Sequence, residues 1–261
     1  MSGGEGMPSL VGKARPDAKL TLLCCHHAGG SAATFARWQR ELPASVELLA
    51  VELPRRGGRG EPAFKNMEAL LARLPVLLGS LSERPLVVFG HSMGALVGFE
   101  CARILRSLGR PPVHLVVSSS PAPDVPRNID PIGGFSDSEF TRELCRRYDG
   151  LPAELLNDAE MMAYLLPAIR SDVRLLESYE YRKEAPLSCP IDVLAGLDDP
   201  RLTRQELARW SLESTEGANV RSFPGGHFYF HHSWEPFMGA LLLVIERYLV
   251  RLRPELGEGP T

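Results

Sequence analysis

A chain of 261 residues, 44% of them hydrophobic, is long enough to bury one large core. Its net charge of −3 offers no basic balance for holding nucleic acid. The longest apolar segments are too short to span a bilayer.

Residues 1–18 are rich in Gly, Pro and charge and are expected to be loose. They lack a basic stretch followed by an apolar one, so no signal peptide is expected and a cytoplasmic location is. Cys24, Cys25, Cys101, Cys145 and Cys189 are an odd, scattered set without a CxxC pair, which fits reduced thiols. Leu20–Cys25 is a continuous apolar run of strand length, as in a strand covered on both faces of a parallel sheet. It leads into His26-His27-Ala28-Gly29-Gly30-Ser31, and a helical pattern follows over Ala32–Glu41. Val46–Val51 is the next strand and opens into a basic, Gly-rich loop with Arg55, Arg56 and Arg59. Asn66–Leu81 has helical leucine spacing, with Pro75 bending or breaking it. The run from Leu86 to Phe89 is a strand, and a helix from Met93 stops at Gly109. Val113–Ser118 is another strand.

The alternation predicts an α/β fold with a mostly parallel central sheet flanked by helices. Residues 124–186 break it: Ser136–Tyr148, Pro152–Asn157 and Glu160–Tyr181 read as helices without a strand between them. We read 124–186 as a helical lid inserted into a single domain that spans 1–261. The sheet resumes at Ile191–Ala195. Thr203–Leu212 is then a helix, Ala218–Phe223 a strand, and Trp234–Leu252 an amphipathic helix with Ser233 as its cap.

The chemistry concentrates at Gly90-His91-Ser92-Met93-Gly94. A strand, a G-x-S-x-G turn and a helix in immediate succession form the setting of a nucleophile elbow, with the serine hydroxyl lifted above the sheet edge. Such a hydroxyl needs a base, and the base needs a partner that fixes its tautomer. His227 follows the last strand in a Gly-Gly loop that lets it reach over that edge. His91 and His114 lie in strands, and His231 and His232 lie at the start of the last helix. For the acid, Asp199 stands three residues after Gly196. Asp198 and Asp124 are the alternatives. The amides of Met93 and Ala28 are the candidate oxyanion donors. His26, His27, Arg55, Arg56 and Arg59 are the candidate substrate- or carrier-binding residues. Arg142, Arg146 and Arg147 form a second basic group in the lid. No metal-ligand spacing accompanies them.

The ordered set resembles the type II thioesterases, the stand-alone editing enzymes of polyketide and nonribosomal peptide synthesis within the α/β-hydrolase superfamily. It comprises His27-Ala-Gly-Gly-Ser31 with Trp38, the Leu53-Pro54 loop with Arg56 and Arg59, and Gly90-His-Ser-Met-Gly94. Gly196-x-x-Asp199-Pro200 and Pro224-Gly-Gly-His-Phe-Tyr229 complete it. The resemblance implies hydrolysis of acyl groups from the phosphopantetheine arm of an acyl or peptidyl carrier protein. Ser92, His227 and Asp199 would be the triad, no cofactor would be needed, and a monomer is expected. The chain has Arg55 where the family usually has Gly, and His26 where it often has Pro, both expected at the pocket mouth. Three rivals remain: a small-molecule carboxylesterase, an acyltransferase or cyclase using the same triad, and a non-catalytic binding protein of the same fold.

Overall fold

The computed structural model describes residues 6–56, 60–126, 130–148 and 158–252. Its centre is a seven-stranded sheet. The strands are β1 (Ser9–Val11), β2 (Leu20–Cys25), β3 (Val46–Glu52), β4 (Leu86–His91), β5 (His114–Ser118), β6 (Ile191–Gly196) and β7 (Ala218–Phe223). Their order is β1-β3-β2-β4-β5-β6-β7. All neighbours are parallel except β1, which runs antiparallel to β3 with Leu10 opposite Val51. The expected α/β class therefore holds, and the sheet gains one strand inside the segment expected to be loose. Three residues carry too little pattern to mark a strand, and β1 forms because the β3 edge offers it unpaired amides and carbonyls.

The apolar runs are continuous because both faces are covered. Leu23, Val88, Val117 and Val193 point to one face, where Leu70, Leu74, Leu78 and Phe99 pack. Their neighbours Leu22, Phe89, Val116 and Leu194 point to the other, against Trp38, Phe237, Leu241 and Ile245. The helices of the first layer are α2 (Met67–Leu71), α3 (Leu74–Gly79) and α4 (Met93–Ser107). Pro75 lies in the first turn of α3. There its missing N–H costs nothing, so one leucine-rich pattern becomes two helices. Among the helices of the other layer are α1 (Trp38–Glu41), which follows a 3₁₀ turn over Ala32–Phe35, and α8 (Trp234–Arg251).

The insertion contains α5 (Asp137–Tyr148) and α6 (Ala159–Glu177). Ser136 and Glu139 form the reciprocal cap of α5: the Glu139 amide donates to Ser136 Oγ and the Ser136 amide donates to the Glu139 carboxylate. Phe140, Leu144, Leu166, Ile169 and Val173 form a small core between α5 and α6, separate from the two layers. The Pro152–Asn157 segment, expected to be helical, lies outside the described residues, as does Arg59. Helix α7 (Arg204–Ala208) is capped by Thr203 with Glu206 and ends in a 3₁₀ turn, Arg209–Glu213. Ser233 departs from its expected part. Its hydroxyl does not cap α8. It donates to the Pro224 carbonyl at 2.9 Å instead, and so anchors the start of the 224–228 loop.

All five cysteines are free thiols, four of them buried. Among the described residues no helix is long and apolar enough to cross a membrane.

Candidate active site

Strand β4 ends at His91 and α4 begins at Met93, so one residue makes the turn. That residue, Ser92, has φ 58 and ψ −117, a conformation that side chains other than glycine seldom adopt. The turn closes only because two positions carry no Cβ. One on Gly90 would sit 1.9 Å from the Gly94 carbonyl oxygen, and one on Gly94 would sit 2.1 Å from that of Cys25. The Ser92 amide is fixed by the Ser118 carbonyl at 2.8 Å. The elbow is thus pinned to β5 while its hydroxyl stays free to face the loops.

Two further loops bring their side chains to that hydroxyl. Gly196 ends β6 so close to the 225–226 backbone that a Cβ there would lie 2.0 Å from the Gly226 carbonyl oxygen. This approach lays the acid loop against the histidine loop. His227 Nε2 is 2.9 Å from Ser92 Oγ, and His227 Nδ1 is 2.8 Å from Asp199 Oδ2. With Nδ1 protonated, the imidazole donates to the carboxylate and presents a bare Nε2 to the hydroxyl. Asp199 and His227 are both buried. Asp198 turns away: its Oδ2 accepts the Gly225 amide at 3.1 Å. Asp124 is engaged by Arg209. Ser119, itself at φ 47, donates from Oγ to the His227 carbonyl at 3.0 Å and steadies the loop from β5.

The 27–30 loop follows β2 beside the elbow. The Gly29 amide donates to Asp172 Oδ2 at 2.7 Å, and the Gly30 amide to the His27 carbonyl at 2.9 Å. The Ala28 amide has no such partner among the described residues. The Met93 amide opens α4 and has no intrahelical acceptor. Beside Ser92 and Met93 lies a pocket of about 640 Å³, walled by Pro121, Val125, Leu176 and Leu202 and reached by Arg146, Arg147 and Arg201. Among the described residues no group of three or more His, Cys, Asp and Glu side chains could hold a metal ion.

The model of the thioesterase domain matches residues 20–241. The chain belongs to the thioesterase family. It is 37% identical over 218 residues to the gramicidin S biosynthesis protein GrsT of Aneurinibacillus migulanus, covering 83% of this chain and 85% of that one. It is 38% identical over 223 residues to the thioesterase PikA5 of Streptomyces venezuelae, covering 84% and 78%. Among solved structures, the type II thioesterase BorB of the borrelidin biosynthetic cluster superposes with a TM-score of 0.82 at 35% identity, covering 90% and 96%. The enzyme is a hydrolase of thioesters with the α/β-hydrolase fold.

Within this thioesterase the expected binding residues take different places. Arg56 does not face the pocket. It is buried, and its guanidinium donates to the Gly30 carbonyl at 2.7 Å, to the Pro54 carbonyl at 3.0 Å and to Asp172. His26 is buried beneath the same loop, with Nδ1 donating to the His27 carbonyl at 2.8 Å. Neither His26, His27, Arg55 nor Arg56 lines the pocket, whereas Arg146 and Arg147 of α5 do. Arg55 is exposed at φ 65. That left-handed backbone is one that glycine adopts more readily than a residue with a side chain.

Aromatic and imidazole rings wall the Ser92–His227–Asp199 series. His91 lies 4.9 Å from His227 between ring centres, and Phe228 lies 5.0 Å from His27. His91 Nδ1 and the Tyr229 hydroxyl both meet Ser118 Oγ at 2.9 Å. Burial and the Arg56 charge push His26 from its ordinary 6.5 to about 3. Burial and then its neighbour His26 push His27 to about 3. Burial and His27 hold His91 well below its ordinary value. These rings are therefore neutral at neutral pH, and they present an uncharged wall to Ser92.

Arg201 is the residue that sequence reasoning missed. Its Nε donates to Asp199 Oδ1 and its Nη2 to Asp199 Oδ2, both at 3.1 Å, and Nη2 also lies against His227 Nδ1. It shares the acid with the histidine. A cation two residues beyond Asp199 was the available signal.

Proposed function

We propose that this thioesterase hydrolyses acyl groups from the phosphopantetheine thiol of an acyl or peptidyl carrier protein in polyketide or nonribosomal peptide synthesis, clearing aberrant units or releasing product. The observation that carries the reading is the hydrogen-bonded series Ser92–His227–Asp199 beside a pocket that combines apolar walls with arginines. The similarity of the chain to a gramicidin S biosynthesis protein, to the thioesterase PikA5 and to the type II thioesterase of the borrelidin cluster supports the reading.

Ser92 Oγ attacks the thioester carbonyl carbon as His227 Nε2 takes its proton. Asp199 holds Nδ1–H and balances the imidazolium charge. The carbonyl oxygen becomes an oxyanion between the amides of Ala28 and Met93, each of which lowers the barrier by about 3 kcal/mol. The thiolate leaves with the proton from Nε2. His227 Nε2 then takes a proton from water as the water oxygen attacks the acyl-serine, and it returns that proton to Ser92 Oγ as the acid departs. The neutral rings of His27 and His91 add no competing charge beside the oxyanion. The lid arginines Arg146 and Arg147, at the pocket, suit the phosphate of the arm or an acidic carrier surface.

The test compares three substrates of the same acyl group: an acylated carrier protein, acyl-CoA and a simple ester. Preference for the carrier, with the free acid as product, is expected. Equal use of the ester would make the protein a carboxylesterase, and a lactone or transferred acyl product would make it a cyclase or acyltransferase.

A further inference from the structure

A deeply buried ion pair lies outside the triad, where the lid meets the 27–30 loop. Asp172 of α6 and Arg56, in the loop after β3, are 2% and 5% exposed. The pair does more than neutralise itself. One carboxylate oxygen, Asp172 Oδ2, accepts both the Arg56 guanidinium and the Gly29 amide, the latter at 2.7 Å. Arg56 Nε returns a bond to the Gly30 carbonyl at 2.7 Å. The loop is gripped at an N–H and at a carbonyl, on the two residues that follow Ala28.

A second contact joins the same two elements. Gly29 has φ 79, and a Cβ on it would lie 2.6 Å from Ile169 Cγ1. Ile169 precedes Asp172 by three residues, so both project from one face of α6. Ile169 also belongs to the lid's own apolar core with Phe140 and Val173. The face of α6 that touches the loop is thus continuous with the packing of the lid.

We propose that Arg56 and Asp172 are positioning residues that lock the 27–30 loop to lid helix α6, so that the Ala28 amide is aimed at the oxyanion only while the lid helix is seated. This rests on the assignment of Ser92 and of the Ala28 amide made above. Two charges withdrawn from water are costly unless their geometry is held, and a pair in this position gives up stability for a fixed arrangement. Asp172, pushed up from 3.8 to about 6 mainly by burial, is held against that push by Arg56 and the Gly29 amide. The other charged or titratable groups facing the pair are Glu52 at the end of β3 and His26 and His27 after β2. Of these, Glu52 is tied to the Ala32 amide.

The test separates aim from fold with two probes. An alkylboronic acid adds to Ser92 and places an oxygen in the oxyanion position, whereas a thioether analogue of an acyl-pantetheine only occupies the pocket. Asp172→Asn keeps an acceptor for Gly29 but not the charge, and Arg56→Lys keeps the charge but not the fork. Each is expected to lower kcat and boronate affinity roughly 10- to 100-fold, as for a misplacement of about 1 Å, with thioether affinity within about 3-fold of wild type. Equal losses for both probes, or no loss, overturn the proposal. Wild type provides a second readout should the variants fail to fold. On boronate binding, amide exchange should slow together in residues 27–31 and 166–174, and slowing in only one region, or in neither, overturns the coupling. A wild type that neither hydrolyses thioesters nor binds boronate would instead overturn the assignment of Ser92.

Discussion

Gly94 and Cys25 meet backbone to backbone: a Cβ on Gly94 would stand 2.1 Å from the Cys25 carbonyl oxygen. The contact joins the first turn of α4 to the end of β2, so it sets the spacing between the elbow and the strand that feeds the Ala28 loop.

The Gly94→Ala substitution is therefore expected to move the elbow away from β2 or to unfold the protein. Backbone on both sides leaves no side chain to swing aside, and the cost is about 3 kcal/mol, the upper end for overpacking. Gly239, in whose case a Cβ would meet nothing within 4 Å, is the control. Gly239→Ala should melt at or above the wild-type temperature, while Gly94→Ala melts well below it. A fall in active-site titre beyond the loss of folded protein would show the elbow itself displaced. Equal melting temperatures for Gly94→Ala and wild type would refute the packing argument.

Arg55 stores strain of a different kind. Its φ of 65 is open to glycine and costly for a side chain, by about 1 kcal/mol. The side chain is exposed and does not line the pocket. Arg55→Gly should raise stability by up to about 1 kcal/mol, offset in part by the greater freedom of an unfolded glycine. Chemical denaturation measures it, with kcat on a simple thioester expected to stay within 2-fold. A clear loss of stability would mean that the side chain makes contacts that outweigh the strain.

Histidines whose charged form the fold disfavours make stability depend on pH. His26 and His27 have folded values near 3 against an ordinary 6.5. Each is neutral in the fold, so its contribution is fully present above pH 6.5 and is lost as pH falls toward 3. The slope is about 1.4 kcal/mol per pH unit for each. His91, shifted in the same direction, adds to the loss. Asp172 works the other way. Its folded value, raised to about 6, makes the fold gain stability as pH falls from 6 toward 3.8. Glu100 and Glu213, also raised from 4.5 mainly by burial, act in the same sense as Asp172. The imidazoles of His26, His27, His91 and His231 act against these carboxyls from pH 6.5 downward, so net stability should fall between pH 7 and 5 in urea titrations. His26→Asn, which keeps a donor for the His27 carbonyl, should flatten that slope by up to about 1.4 kcal/mol per unit. An unchanged slope would place the acid sensitivity elsewhere.

How much of this was readable depends on how local the cause is. Ser92, Asp199 and His227 each stand just past a strand and beside glycines, so strand ends and turn residues were enough to bring them to one edge of the sheet. The two-layer packing was readable for the same reason, since buried parallel strands write themselves as unbroken apolar runs. Arg56 was not readable in this way. Its charge suggested an anion site in a basic loop, but its partner Asp172 lies 116 residues on, inside an ordinary helical pattern. No spacing rule reports which of several arginines a distant carboxylate will bury. Arg146 and Arg147 reach the pocket through the packing of α5 on α6, which is likewise long-range. Strand β1 is three residues long and is stabilised by an edge rather than by its own sequence.

Asp198 and Asp199 give the plainest test of the acid. They are adjacent, and both follow β6, yet they face different partners. Asp199 is buried, with Oδ2 2.8 Å from His227 Nδ1 and both oxygens also held by Arg201. Asp198 is exposed and accepts the Gly225 amide at 3.1 Å. In Asp199→Asn the group facing His227 loses its charge and can present an N–H, which favours the imidazole tautomer that holds its proton on Nε2. That nitrogen then cannot take the Ser92 proton. A fall in kcat of roughly 10³- to 10⁴-fold is expected, with little change in melting temperature. Asp198→Asn retains an oxygen for the Gly225 amide and should keep activity within about 3-fold. Measuring kcat for both variants on one acyl thioester decides the matter: a loss at Asp198 with Asp199 unaffected would transfer the acid's role to the neighbouring residue.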